Sequence, residues 1–240
     1  MPDTALTTTG PGAATIPAGR ALGVWAASWI VGPLFVSGLV LAAVNGGIDD
    51  PSIPSIIAGT VAGWVVFLAA LWWVSARAGS GDRRADYAVA VRPVDLLAVP
   101  LGVAAQLGLL PALYFPLQQL FPDAFADDDL EQRAQELVDK AGGIKTVLLV
   151  LMVCVGAPIV EELVYRGLLQ RSVARSIGAV PALLAVSLLF ACIHFSPVEI
   201  PGLFLAGVVF GTCLAVTGRL GPAVLAHAAF NTTAMVVLLS

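Results

Sequence analysis

The chain has 240 residues, of which 58% are hydrophobic and only 12% are charged. Its mean hydropathy is +0.92, whereas a soluble globular domain carries about 25% charged residues, so the composition excludes an ordinary water-soluble domain. The net charge of −4 and the lack of a basic cluster argue against nucleic-acid binding.

The first residues differ from the rest of the chain. Residues 1–19 are polar, rich in Thr, Gly and Pro, and lack the basic start of a signal peptide. This composition predicts a short disordered tail.

Apolar runs follow, each long enough to cross a bilayer core of about 30 Å. The seven predicted spans cover about residues 21–45, 54–76, 94–120, 144–171, 178–195, 201–217 and 221–239. We therefore expect an all-α fold, a polytopic transmembrane helical bundle embedded in a lipid bilayer. Residues 20–143 would hold the first three spans and residues 144–240 the remaining four.

Small residues and prolines in these spans predict close helix contacts and a kink. Two spans carry glycines four residues apart, a spacing that lets helices approach closely. These are Gly59 and Gly63 in the second span, and Gly207 and Gly211 in the sixth. Three prolines at positions 100, 111 and 116 predict a kink in the third span.

The stretch from Phe121 to Gly143 is more polar than the spans that flank it. Asp127, Asp128 and Asp129 can cap a helix and complement its positive end. The apolar residues that follow fall on one helical face; they are Leu130, Ala134, Leu137 and Val138. The pattern predicts a short amphipathic helix at the membrane interface.

The distribution of charge between loops predicts an orientation. Four arginines lie in residues 77–93, and others follow the fourth and sixth spans, whereas the loops with Asp49 and with Asp127 are acidic. By the positive-inside rule, the N-terminus of a multi-pass protein of the cell membrane would be cytoplasmic. With seven spans, the C-terminus would then lie outside.

Few ionisable groups remain inside the predicted spans. They are Glu161, Glu162 and Arg166 on the fourth span, His194 on the fifth and His227 on the seventh. An unpaired charge at such a position costs at least ~2.5–3.5 kcal/mol, so intramembrane ionisable residues are functional candidates. These two histidines are the only ones in the chain.

The spacing of the polar groups suggests separate roles. Arg166 follows Glu162 by four residues, the favourable order for an ion pair that orients a site. Glu161 points about 100° away from Glu162 on a helix, so it is the freer carboxylate and the better candidate base. Asn231 follows His227 by four residues and shares its helical face.

Together these groups fit acyl-transfer chemistry. A desolvated carboxylate such as Glu161 can take a proton from water, and a neutral imidazole with an asparagine amide can donate to an oxyanion. Glu161, His194 and His227 also form a His₂Glu set that suits catalytic zinc. Because the sequence has no HExxH helix, metal-activated and glutamate-activated water both stay open.

Three short motifs in this part of the chain resemble those of a known family. "EELVYR" fits EExxxR, "FACIH" from Phe190 to His194 fits FxxxH, and "HAAFN" from His227 to Asn231 fits HxxxN. In this order on successive membrane helices, they resemble the CPBP (Abi) family of intramembrane proteases, which includes the type II CAAX prenyl endopeptidases and bacteriocin-immunity proteins. The resemblance covers about residues 145–235.

The resemblance implies an intramembrane endopeptidase that acts on a membrane-anchored protein or peptide, with residues 144–240 as its catalytic core. It implies that Glu161 activates water, supported by Glu162 and Arg166, with His194 beside it. It further implies an oxyanion site at His227 and Asn231. A prenylated substrate is not assumed, because the Ala-, Val- and Gly-rich composition is typical of bacterial proteins.

Two other classes of function compete with the peptidase. Intramembrane Glu and His relays also occur in proton-coupled transporters, although the sequence shows no repeated halves. A non-catalytic immunity or scaffold protein could keep the same residues for binding. One geometric difficulty also stands: Glu161 and His194 both come late in antiparallel spans, so they meet only if the fourth span projects beyond the bilayer or the fifth starts inside it.

Overall fold

The computed structural model describes residues 15–46, 49–125 and 135–240. The described residues form helices that we number in chain order. These are α1 Ala18–Asn45, α2 Ile53–Ala78, α3 Arg83–Asp86, α4 Pro93–Leu120, α5 at residues 135–141, α6 Ile144–Ile177, α7 Ala179–Cys192, α8 Ile200–Thr217 and α9 Gly221–Leu239.

The helices confirm a polytopic transmembrane bundle. Among the described residues, six are long and apolar enough to cross a membrane, namely α1, α2, α4, α6, α8 and α9. The predicted fifth span is shorter than expected, because α7 has only 14 residues. At 1.5 Å per residue it is roughly 21 Å long, less than the core of a bilayer.

Several spans contain π-helical turns. They occur at Ile30–Ser37 in α1, at Ala105–Leu109 in α4, and at Met152–Gly156 and Glu162–Gln170 in α6. Proline lies within the first of these segments, as Pro33, and two residues after the end of each of the next two, as Pro111 and Pro158. Because proline lacks an N–H donor, the helix changes its hydrogen-bond pattern around it, so α4 runs on to Leu120 through its prolines.

The glycine pairs mark close helix contacts, as their spacing predicts. A Cβ built at Gly63 of α2 would lie 2.5 Å from Ser37 Oγ, and one at Gly59 would lie 3.0 Å from the Ser37 carbonyl oxygen. In α8, a Cβ at Gly207 would lie 3.0 Å from Ser187 Cβ of α7. The missing side chains therefore let α1 meet α2, and let α7 meet α8.

Residues 15–17, within the predicted tail of residues 1–19, contact the helical bundle. Residues 1–14 lie outside the described residues, but Ile16 is only 2% exposed and packs in the core against Leu71 and Tyr87. Thr15 donates a hydrogen bond to Asp86. An apolar side chain and a buried acceptor thus hold residues 15–17 ahead of α1, and the boundary at residue 19 stays a prediction.

The loops divide into two ends of the bundle. Hydrogen bonds join the loop after α3 to the start of α9, from Leu220 N to Ala88 O and from Gly221 N to Ala90 O. We call this the arginine-rich end; it also holds the start of α1 and the end of α6. At the opposite end, Lys140 of α5 pairs with Asp50.

Part of the predicted interfacial helix is present at that opposite end. Residues 126–134, with the aspartates expected to cap it, lie outside the described residues. Residues 135–141 are helical, and Leu137 and Val138 pack against a cluster that includes Ile53 and Leu149. The apolar face of this short helix therefore covers the ends of α2 and α6.

Candidate active site

A fully buried ion pair lies at the centre of the bundle. Glu162 and Arg166 are both 0% exposed, and Arg166 Nη1 donates to Glu162 Oε1 at 2.8 Å. His227 Nδ1 approaches the same oxygen at 2.9 Å. Since an ionised carboxylate only accepts, the Nδ1–H of His227 donates to Glu162. The predicted pair therefore holds a histidine of α9 as well.

Aromatic rings enclose these charges. The His227 ring stacks on Phe210 of α8 with centroids 4.5 Å apart and an interplanar angle of 14°. The Arg166 guanidinium lies over the Phe190 ring at 4.8 Å and over the Phe210 ring at 5.5 Å. Cation–π contacts of this kind compensate part of the lost hydration of a buried cation. Phe190, the first residue of the FxxxH motif, thus contacts the buried ion pair directly.

The segment of α6 that carries Glu162 and Arg166 is surrounded by other helices. Residues 162–170 form a π-helical stretch in which all but Leu163 are buried. Arg166 Nη2 donates to the Gly207 carbonyl at 3.0 Å, and Gln170 Nε2 donates to the Gly211 carbonyl at 2.9 Å. A Cβ at Gly211 would lie 2.7 Å from Gln170 Oε1, so glycine is what allows α8 to accept both side chains.

Glu161 has a different environment from its neighbour. Its side chain is 26% exposed, and its Oε2 lies 3.9 Å from His227 Nε2. That separation exceeds a hydrogen bond. Glu161 therefore lies near Nε2 of His227, the ring nitrogen that does not contact Glu162. Its carboxylate faces open space rather than the ion pair.

This open space is an apolar cavity of about 290 Å³ beside Glu161. Its walls come from α1, α2 and α6, with Ile193 just after α7. They include Trp29, Trp64, Phe67, Val160, Val164 and Tyr165. Gly156 admits Trp64, because a Cβ there would lie 2.6 Å from the indole ring. The carboxylate of Glu161 thus meets a pocket able to hold a bulky apolar group.

His194 lies just beyond the end of α7. Its Nδ1 is 2.7 Å from the Phe190 carbonyl oxygen, and because a carbonyl only accepts, Nδ1 carries the proton. The Nε2 of a neutral His194 is then an acceptor. The Phe190 ring contacts His194 at 4.9 Å and His227 at 6.0 Å, so one aromatic side chain brings the two histidines together.

The structure also resolves the difficulty of depth. α6 extends over 34 residues and turns into α7 at Gly178, whose φ of +89° suits glycine. Glu161 lies about as many residues before this turn as His194 lies after it. Because α6 is longer than a bilayer requires and α7 is shorter, the two side chains reach the same level.

Asn231 lies one turn beyond His227 on α9. Its Nδ2 donates to the Val153 carbonyl of α6 at 2.8 Å, within the π-helical turn Met152–Gly156. One amide proton is therefore used to join α9 to α6, and the other is left for a second acceptor. An oxyanion role for Asn231 stays a prediction.

The zinc hypothesis finds no ready ligand set. Among the described residues, no group of three His, Cys, Asp or Glu side chains is arranged to hold a metal ion. His227 donates its Nδ1–H to Glu162 and His194 donates its Nδ1–H to a backbone carbonyl, which leaves both Nε2 atoms available, as in metal-bound histidines. A zinc site at Glu161, His194 and His227 stays a prediction, and the chemistry below uses only groups of the protein.

Several contributors to the site carry no motif. Phe210 and Gln170 support the central pair, while Trp29 and Trp64 come from spans outside the motifs. One signal was available for Gln170: it follows Arg166 by four residues, as Arg166 follows Glu162. The tryptophans had no comparable signal, since an apolar residue in an apolar span has no distinguishing pattern.

Comparison with protein-family models matches residues 143–233 to the family described as Type II CAAX prenyl endopeptidase Rce1-like. The match begins at the residue before α6 and takes in all the residues of the central site on α6, α7, α8 and α9. No curated protein and no solved structure matches the chain. Residues 143–233 are thus similar to Rce1-like endopeptidases, which confirms over this part of the chain the resemblance to the CPBP and CAAX protease family that the three motifs indicated.

Proposed function

We propose that this protein is an intramembrane endopeptidase in which Glu161 activates the attacking water. One observation carries the proposal: of two adjacent carboxylates, Glu162 is fully buried and occupied by Arg166 and His227, whereas Glu161 faces a cavity. The Rce1-like match supports a CAAX-protease-like peptidase at the level of the family. The individual roles below are our inference from the contacts.

The oxyanion role proposed for His227 requires a proton on both of its ring nitrogens. With Glu161 and Glu162 ionised and Arg166 and His227 protonated, the four charges sum to zero. A region of low dielectric favours such a balance over a net charge. In this state the Nδ1–H of His227 donates to Glu162, and its Nε2–H is left to donate to the substrate.

Hydrolysis then follows from the positions of these groups. A water molecule donates one hydrogen to Glu161 and the other to the Nε2 of neutral His194, which orients its lone pair. As the water oxygen bonds to the peptide carbonyl carbon, Glu161 takes its proton, and His227 Nε2–H with the second amide proton of Asn231 stabilises the oxyanion. When the C–N bond breaks, Glu161 returns the proton to the leaving amine.

The test compares Glu161→Gln with the wild type in purified, detergent-solubilised protein, using a pool of quenched fluorescent peptides. Loss of a general base lowers turnover by roughly 10²–10⁴-fold, and we expect this loss without a change in melting temperature. Glu136→Gln, at an exposed glutamate of α5, is the matched control and keeps full activity. Equal turnover in Glu161→Gln and the wild type would remove Glu161 from the mechanism.

The cavity suggests the class of substrate. Because Trp29, Trp64 and Phe67 surround the open space beside Glu161, we propose that it takes a bulky apolar side chain next to the scissile bond. Burial of such a side chain contributes ~1.5–3 kcal/mol. The first two spans would then select the substrate that the Rce1-like domain cleaves.

This assignment is tested by filling the cavity. Thr60→Phe places a ring into the space that Thr60 lines, and we expect it to lower kcat/KM for a peptide with a bulky apolar residue roughly tenfold or more. The same peptide with alanine at that position loses much less. Val61→Phe, at the adjacent and 45% exposed position, leaves both unchanged. An equal loss for both peptides in Thr60→Phe would contradict the assignment.

We also propose that the arginine-rich end faces the cytoplasm, by the positive-inside rule. The N-terminus would lie on this side, and α5 on the other. A membrane-impermeant maleimide should then label a cysteine placed at Asp139 in intact cells, and one placed at Ser80 only after lysis. The reverse pattern would invert the topology.

A further inference from the structure

A groove between α1 and α2 at the arginine-rich end lies apart from the candidate active site. It has a volume of about 260 Å³ and is lined chiefly by Arg20, Gly23, Val24, Trp73, Val74 and Arg77. From its chemistry we propose that it binds an anionic phospholipid, with the lipid phosphate between the two arginines and an acyl chain along the apolar floor.

The order of residues on the two helices matches the shape of a lipid. α1 runs away from this end, so Val24 lies one turn deeper than Arg20. α2 runs towards it, so Trp73 lies one turn deeper than Arg77. Both helices therefore present a cation at the outer level and an apolar side chain below it.

The level of the groove fits the headgroup region of a bilayer. Trp73 is 52% exposed and Trp72 is 58% exposed, and the guanidinium of Arg83 lies over the Trp72 ring at 5.5 Å. Tryptophan is enriched where lipid tails meet headgroups. Arg77, one turn beyond this pair, is thus placed at the height of lipid phosphates.

Charge complementarity identifies the occupant. Among the described residues, no hydrogen bond or ion pair joins Arg20 or Arg77 to an acidic side chain. Asp82 caps α3, and Asp86 accepts from hydroxyl and amide groups. The first turn of α1 has neither an acidic residue nor a side-chain cap, so its positive end adds to the two cations.

The experiment uses the full-length protein in neutral detergent and titrates phosphatidylglycerol or phosphatidylcholine, with bound lipid counted by native mass spectrometry. We expect the double variant Arg20→Gln/Arg77→Gln to lose affinity for phosphatidylglycerol about tenfold or more, with no change for phosphatidylcholine. Arg84→Gln, at an exposed arginine that does not line the groove, is a control for the loss of a positive charge elsewhere and keeps wild-type affinity.

A second pair of variants tests the groove itself. A Cβ built at Gly23 or at Gly19 meets no atom within 4 Å, so either glycine of α1 has room for the first carbon of a leucine side chain. Gly23→Leu fills the groove and should lower phosphatidylglycerol binding, whereas Gly19→Leu, outside it, should not. Equal binding of the two lipids, or unchanged binding in the double variant, would overturn the proposal.

A third arm separates a lipid from a free anion. If the site recognised phosphate alone, inorganic phosphate at millimolar concentration would displace the lipid and Gly23→Leu would bind as the wild type does; this result would also overturn the proposal. No residue of the groove belongs to the candidate active site. The proposal of a lipid site therefore does not depend on the proposed peptidase activity, and the two can fail separately.

Discussion

Two buried carboxylates of this chain, Glu162 at the centre and Asp86 at the arginine-rich end, have contrasting surroundings. Asp86 is 2% exposed and accepts hydrogen bonds from the hydroxyls of Thr15, Ser75 and Ser80 and from the Ser80 amide. Both of its oxygens are occupied. It ties the residues before α1 to the end of α2, and it touches no group of the candidate active site.

The centre is less completely satisfied. Glu162 Oε1 accepts from Arg166 and His227, but Glu162 Oε2 and Arg166 Nε have no hydrogen-bond partner among the described residues. Buried polar atoms without partners are costly. The network at Asp86 is fully satisfied, whereas the centre has buried polar atoms without partners in the described part of the chain on the residue next to Glu161, which lines the cavity.

The largest expected effect is at the centre. Arg166→Met removes the cation beside the buried Glu162 carboxylate and leaves it the hydrogen bond from His227. Breaking a buried ion pair costs about 3–5 kcal/mol. Chemical unfolding in detergent measures the loss. The double variant Glu162→Leu/Arg166→Met, which removes both charges, should recover part of it. A single variant as stable as the wild type would show that the pair is not charged.

At the arginine-rich end, we expect a smaller loss of stability and no effect on peptide cleavage. Asp86→Asn removes the charge that several donors share, and should lower the free energy of unfolding by about 1–3 kcal/mol. Turnover per folded molecule should equal that of the wild type. A change in kcat with unchanged stability would contradict the claim that Asp86 contributes to stability and not to the reaction.

We expect the stability difference between wild type and Asp86→Asn to depend on pH. Burial alone would raise the pKa of the Asp86 carboxyl, but hydrogen bonds from Ser75, Thr15 and Ser80 outweigh it and hold the pKa below its ordinary value of 3.8. Stabilisation by Asp86 is therefore full above about pH 4 and is lost as the pH falls through the folded-state pKa. The stability difference between wild type and Asp86→Asn should shrink in that window; a constant difference would contradict it.

A still smaller effect is expected beside the centre. Gln170→Leu removes the hydrogen bond from Gln170 Nε2 to the Gly211 carbonyl but keeps a side chain of similar size, so the free energy of unfolding should fall by roughly 0.5–1.5 kcal/mol. KM and kcat should change little, because Gln170 lies two turns from Glu162. Thermal unfolding and peptide cleavage, measured on one preparation, separate the two effects.

The smallest effect is expected at the surface pair of Lys140 and Asp50. Their side chains are 49% and 84% exposed, and the hydrogen bond from Lys140 lowers the pKa of Asp50. Water and salt screen such a pair, so Lys140→Gln should leave the melting temperature unchanged within error. If Lys140→Gln lost as much stability as Asp86→Asn, solvent exposure would not explain the difference between the two interactions.

The sequence by itself determined the class of fold, the order of the spans and the polar residues of the centre. It could do so because charge is so costly in a membrane that Glu161, Glu162, Arg166, His194 and His227 stand out in apolar surroundings. The four-residue spacing of Glu162 and Arg166 was enough to predict their ion pair, and the divided surroundings of the two glutamates agree with the 100° between them.

Only the tertiary structure decided the levels at which helices meet and the apolar side chains that surround the site. The unequal lengths of α6 and α7 bring His194 level with Glu161, and neither length follows from hydropathy, which registers burial in lipid and burial in protein alike. Trp29 and Trp64 were invisible for the same reason. An apolar residue carries no mark of the cavity it lines, because its place depends on contacts between helices distant in the chain.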